Sequence, residues 1–112
     1  MNETPYDRLK STALELPEVQ EATSYGTPAL KVRGKLMLRL REDGTIAFRT
    51  TWEQREELIE MYPKVFFVND HFRKYDWTLA RIENLYEGQI RQIVHTAWCN
   101  TAPKAVRKEL LR

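Results

Sequence analysis

The chain has one cysteine, Cys99, so no disulfide can form within it, and a lone thiol fits a reducing compartment. Apolar runs are only a few residues long, far short of the ~20 residues that a membrane-spanning helix needs. Glycine and proline are scarce, with four and five residues among 112, which excludes a collagen-like repeat and a low-complexity tail. Four isolated glycines supply neither a phosphate loop nor a dinucleotide fingerprint. The stretch Met1 to Asp7 is polar where a secretory signal would be basic and then apolar, so a cytoplasmic chain is expected. At this length residues 1–112 make one domain, and a two-domain enzyme is excluded.

What is present is an ordinary globular composition: 42% hydrophobic residues, including three Trp, five Tyr and four Phe. That is enough bulk to fill one core layer without covalent staples. The formal net charge of +2 hides a polarised distribution. Residues 25–51 hold six basic and two acidic residues, and residues 86–112 hold five and two. Residues 1–24 and 52–63 are each acidic by three charges.

Thr4-Pro5-x-Asp7 predicts a capped first helix with Tyr6, Leu9, Ala13 and Leu16 inward, ended by Pro17. After a short extended stretch and a turn over Thr23 to Pro28, strands are predicted at 29–33, 36–41 and 45–50. A Glu42-Asp43-Gly44 loop pairs Leu40 with Ile46 and Leu38 with Phe48. A loop at Arg33-Gly34-Lys35 pairs Val32 with Leu36 and Leu30 with Leu38. This register gives one apolar face and a second face carrying Lys31, Arg33, Met37, Arg39, Arg41, Ala47 and Arg49.

Thr51-Trp52-Glu53-Gln54 reads as a capping box, opening a helix with Trp52, Arg55, Leu58, Ile59 and Tyr62 on one side. Strands at 64–68 and 77–82 flank the loop 69–76. A helix follows from about Tyr86 to Cys99, broken by Asn100 and Thr101, and Pro103 starts a short basic helix. The order α-β-β-β-α-β-β-α plus that C-terminal helix predicts an α+β two-layer sandwich, an antiparallel sheet with helices on one face.

The basic face suits a polyanion, because Lys and Arg neutralise phosphates with release of counterions. The competing reading is that a wet sheet face must carry something polar, and Lys and Arg commonly serve. Asp70-His71 in the 69–76 loop has no nucleophile placed beside it, so the loop reads as structural or as a source of contacts from His71, Arg73 and Lys74. His95 and Cys99 share a helix side but make only two of the four ligands of a zinc site. Basic residues after Pro103 complement a helix dipole without needing a function.

The run Ser24-Tyr25-Gly26-Thr27-Pro28-Ala29-Leu30-Lys31-Val32-Arg33-Gly34-Lys35 resembles the MmcQ/YjbR family, with its Tyr/Phe-Gly, Phe-Lys-Val and Gly-Lys stretches. Arg41 to Gly44, Phe66-Phe67-Val68, Asp70 to Arg73, Trp77, Ala97-Trp98 and Ala102-Pro103-Lys104 continue the match; Leu30 departs from the usual aromatic. The resemblance implies a fold related to frataxin-like and secretion-chaperone-like domains, and a DNA-binding role through a double-wing motif. By position Lys31, Gly34, Lys35, Asp70, His71, Arg73, Trp77 and Pro103 match the family motif.

The resulting expectation is a non-enzymatic nucleic-acid-binding domain without a cofactor or metal, contacting DNA through Lys31, Arg33, Lys35, Arg39, Arg41, Arg49, Arg73 and Arg81. The alternative is a small adaptor or chaperone-like protein that docks an acidic protein partner. An enzyme acting on a small anion through His71 and Arg73 ranks last.

Overall fold

A computed structural model describes residues 3–110. Helix α1 (Pro5–Ala13) is followed by β1 (Val19–Ser24), β2 (Thr27–Val32), β3 (Lys35–Leu40) and β4 (Ile46–Arg49). Then come α2 (Trp52–Met61), β5 (Phe66–Phe67), β6 (Trp77–Ala80), α3 (Glu87–Thr101) and α4 (Lys104–Leu110). The strands form one antiparallel sheet in the order β1-β2-β3-β4-β6-β5, with the helices on one side. The α+β prediction holds, and the extended stretch after Pro17 becomes a paired edge strand, β1. Leu111 and Arg112 of the basic C-terminal segment, and Met1 and Asn2, lie outside the described residues.

Local chemistry sets the element boundaries. Thr4 and Asp7 cap α1 reciprocally, and Thr51 and Gln54 do the same for α2, each box satisfying two backbone N–H groups that a helix start leaves unpaired. Helix α3 continues through Asn100 and Thr101, contrary to the predicted break. The Asn100 amide donates to the Thr96 carbonyl at 2.8 Å and the Thr101 hydroxyl to that of Ala97 at 2.7 Å, so both polar side chains are satisfied within the helix.

Two hairpin turns run through left-handed backbone at both central residues, Tyr25-Gly26 (φ 53° and 79°) and Arg33-Gly34 (φ 49° and 79°). Such turns match the right-handed twist of the strands they join. The second turn corrects the predicted register. With only two residues in the loop, Val32 pairs with Lys35 rather than Leu36, and a bulge at Met37 restores the expected pairing of Leu30 with Leu38. The extra residue reverses the alternation N-terminal to the bulge. Met37, predicted on the basic face, is buried in the core, while Leu36, predicted in the core, stands on the second face beside Lys31. The pairings Leu38 with Phe48 and Leu40 with Ile46 are as predicted.

Between sheet and helices, Leu30, Val32, Met37, Leu38, Ile46 and Phe48 meet Leu9 and Ala13 of α1 and Ile90, Ile93, Val94, Ala97 and Trp98 of α3. These side chains are fully or almost fully buried, each contributing roughly 1.5–3 kcal/mol where it is large and apolar. The Trp98 indole N–H donates to the Pro17 carbonyl at 3.0 Å, tying α3 to the chain between α1 and β1. No described helix is long and apolar enough to cross a membrane.

Candidate binding site on the second sheet face

Opposite the helices, one row across five strands reads Ala29, Arg39, Ala47, Leu79 and Phe67. A bare wet face would leave these alanines accessible, yet Ala47 is 1% exposed. The segment 69–76 folds back over this face and brings Phe72 and Tyr75 around a cavity floored by Leu36 and Ala47. The cavity measures about 550 Å3 and runs from Trp77 and Leu36 at one end of β3 to Tyr25 and Glu42 at the other.

One buried cation holds the covering segment in place. Arg55, in α2 and 6% exposed, donates from Nη1 to the carbonyls of Phe72 (3.3 Å), Tyr75 (2.9 Å) and Trp77 (3.1 Å), and from Nη2 to that of Arg73 (3.0 Å). The Trp52 ring lies 4.9 Å from its guanidinium carbon. Within the segment, the Asn69 side chain accepts from Phe72 N–H at 2.9 Å and the Asn69 carbonyl from Arg73 N–H at 2.9 Å. The segment is therefore a tied-down turn with Phe72 half-buried, while Asp70, Arg73 and Lys74 face solvent.

The predicted basic residues fall into distinct groups. Arg33 makes a two-pronged pair with Glu18 (2.9 and 3.1 Å), which raises its pKa and holds the Glu18 carboxyl below the usual range. Arg41 donates to Thr45 Oγ1 at 2.9 Å and Asp43 at 3.4 Å, and its guanidinium stands over the Phe72 ring at 5.5 Å. Arg49 turns inward, donating twice to the Leu36 carbonyl (3.1 and 3.0 Å) with its carbon 4.7 Å from the Trp77 ring centre. Burial pushes Arg49 down from its ordinary value, and nearby Asp76 opposes this. Arg39 stands over the Tyr25 ring at 5.2 Å, with Thr27 Oγ1 at 3.4 Å and a Glu42 oxygen at 3.9 Å.

Lys31 is half-buried beside Leu36, and Lys35 is exposed next to the Arg33-Gly34 turn; among the described contacts neither has a carboxylate partner. Arg73 pairs at 3.8 Å with Asp70, whose side chain is fully exposed. Arg81 lies over the Phe67 ring at 4.1 Å at the far edge of the sheet. Of the family-motif positions, His71 and Trp77 line the cavity, Asp70 faces solvent, and Pro103 precedes α4 and is not among the cavity-lining residues.

The face is thus less positive than the strand pattern suggests, because Glu42 and Asp43 reach it from the β3–β4 turn, and because Arg33, predicted on the face, lies in the two-residue β2–β3 turn and is paired with Glu18. Sequence reasoning also missed the aromatic layer: Tyr25, Phe72 and Tyr75 come from loops, and only their density around 71–77 hints at it. His95 and Cys99 are both exposed on α3, and among the described residues no three His, Cys, Asp or Glu side chains converge as metal ligands.

A family model described as YjbR matches residues 14–100. The crystal structure of the Deinococcus radiodurans protein DR2400, a DUF419 domain, superimposes with a TM-score of 0.71 at 21% identity, covering 97% of this chain and 91% of that one. No curated protein matches.

Proposed function

The chain belongs to the YjbR family, and from that premise we propose that it is a non-enzymatic, cytoplasmic nucleic-acid-binding domain whose second sheet face takes a single strand. The observation that carries this reading is the interleaving of arginine and aromatic side chains around one open cavity. Aromatic rings stack on unpaired bases whatever their sequence, and neighbouring cations follow the backbone.

A duplex fits less well. It would meet its phosphates through a broad free basic surface, but Arg33, Arg39 and Arg41 each have a carboxylate within 4 Å and Arg49 is committed to the Leu36 carbonyl. Arg73, with Asp70 at 3.8 Å, is taken by the same measure, so the cations left for phosphates are Lys31, Lys35 and Arg81, about three contacts instead of the five or six that an open face would offer. The two turns at one end of the sheet, Tyr25-Gly26 and Arg41 to Thr45, act as wings that bracket the cavity.

Fluorescence anisotropy with a labelled 12-mer tests this. Single-stranded DNA should bind more tightly than the same sequence as duplex. With about three phosphates and a single-strand slope near −0.7 per phosphate, affinity should fall on the order of twentyfold between 50 and 200 mM salt. No binding of single strands at 50 mM salt, or a preference for duplex, overturns the reading.

A further inference from the structure

Arg39 and Glu42 form the polar end of the cavity, and they are not closed on each other. Arg39 Nη1 and Glu42 Oε1 are 3.9 Å apart, beyond hydrogen-bonding range, and the Glu42 side chain is 70% exposed. The Arg39 guanidinium is mostly covered, held by the Tyr25 ring and Thr27 Oγ1, so its position is set before any ligand arrives. The site therefore presents, side by side, a fixed donor group and a two-oxygen acceptor, at the mouth of an aromatic slot.

Resting on the single-strand reading above, we infer that this pair selects guanine. The Watson–Crick edge of guanine places one acceptor, O6, next to two adjacent donors, N1–H and N2–H. The guanidinium donates to O6 while both carboxylate oxygens accept from the two N–H groups. The other bases fail in definite ways. Thymine offers O4 and N3–H but then sets O2 against the second carboxylate oxygen. Adenine and cytosine have one donor beside acceptors, so each leaves a carboxylate oxygen unpaired or facing a lone pair. The ring itself lies against Phe72 and Tyr75, which line the same cavity. The volume of about 550 Å3 falls within the roughly 300–1,000 Å3 usual for small-ligand pockets.

The test uses three labelled single-stranded 12-mers of thymine, one unsubstituted, one with a central guanine and one with a central adenine. The guanine strand should bind about tenfold more tightly than the other two, the discrimination that one bidentate base contact supplies. In Glu42→Gln, which keeps the size of the side chain at an exposed turn, that advantage should shrink to about twofold or less. Equal affinity for all three strands, or an undiminished guanine preference in Glu42→Gln, overturns the guanine inference and leaves the strand-binding reading standing. Absence of binding to any strand overturns both.

Discussion

Replacing Arg55 by alanine should release the covering segment 69–76 while leaving the sheet and helices folded. The guanidinium makes four hydrogen bonds, all to main-chain carbonyls of Phe72, Arg73, Tyr75 and Trp77, and no carboxylate is among those partners. A hydrogen bond to a charged group contributes about 1.5–3 kcal/mol, so the gross interaction is on the order of 6–12 kcal/mol. Burying an unpaired charge costs several kcal/mol, which offsets much of that gain. On truncation three of the four carbonyls, those of Phe72, Arg73 and Tyr75, are freed in a segment whose outer residues already face solvent, so water takes them up once the segment lifts; the fourth belongs to Trp77 at the start of β6. The net loss of global stability should then be about 2–3 kcal/mol, within the 5–15 kcal/mol that domains typically possess.

Arg55→Lys should lose nearly as much, because a single ammonium has three donors and no planar fork to span four carbonyls. Urea unfolding gives the global figure. Hydrogen exchange gives the local one: the amides of Arg73 and Tyr75, bonded to the Asn69 and Phe72 carbonyls, should lose protection while those of β3 and β4 keep theirs. A destabilisation below about 0.5 kcal/mol, the scale of an ordinary surface substitution, with the segment's protection intact, would refute the reasoning.

Three further outcomes follow from single residues. Tyr6 is 7% exposed and its hydroxyl is buried without a partner among the described residues, so Tyr6→Phe should stabilise the fold by about 1 kcal/mol in urea unfolding. Burial, helped by Glu21 and Asp7, pushes the Tyr6 pKa up to about 12. Its contribution to stability is therefore complete below the unfolded value near 10 and lost as pH rises through 12, and Tyr6→Phe should remove that alkaline loss. Asp43 accepts from the Thr45 hydroxyl and N–H, which lowers its pKa; its support of the β3–β4 turn is present above the ordinary aspartate value and is lost as pH falls through the lowered one. An NMR titration should show Asp43 protonating below ordinary aspartates, and Thr45→Val should move it upward. Gly34→Ala places a side chain at φ +79° where, among the described residues and apart from its chain neighbours, nothing lies within 4 Å, so its cost is backbone strain alone, about 1 kcal/mol by thermal unfolding.

Much of the framework was legible because it is written in short-range chemistry. The capping residues Thr4 and Thr51, the Gly44 loop and the pairing of Leu38 with Phe48 follow from spacing alone. Arg55 already sat in the inward stripe of its helix, though its partners, 17 to 22 residues away, did not show. What was hidden depends on one-residue events and on loops. The bulge at Met37 leaves an unbroken apolar pattern, Leu36-Met37-Leu38, so nothing in the alternation marks where the faces exchange. Strand β1 is an edge strand of mixed polarity, without the apolar alternation of a half-buried strand. The candidate site was half legible: Lys31, Arg39, Arg41 and Arg49 lie on the face predicted for them and Arg33 does not, while the carboxylate partners and the aromatic cover come from turns, where side-chain direction is fixed by tertiary contacts.

The central claim is that a single strand occupies the arginine–aromatic cavity on the second sheet face. The most direct test is an amide and side-chain NMR titration of the full chain with a single-stranded 12-mer at low salt. The largest shifts should fall on Tyr25, Arg39, Glu42, Ala47, Tyr75 and the Trp77 indole, with α2 and α4 largely unmoved. Shifts confined to the helical side of the sheet, or none at saturating strand, would contradict the account.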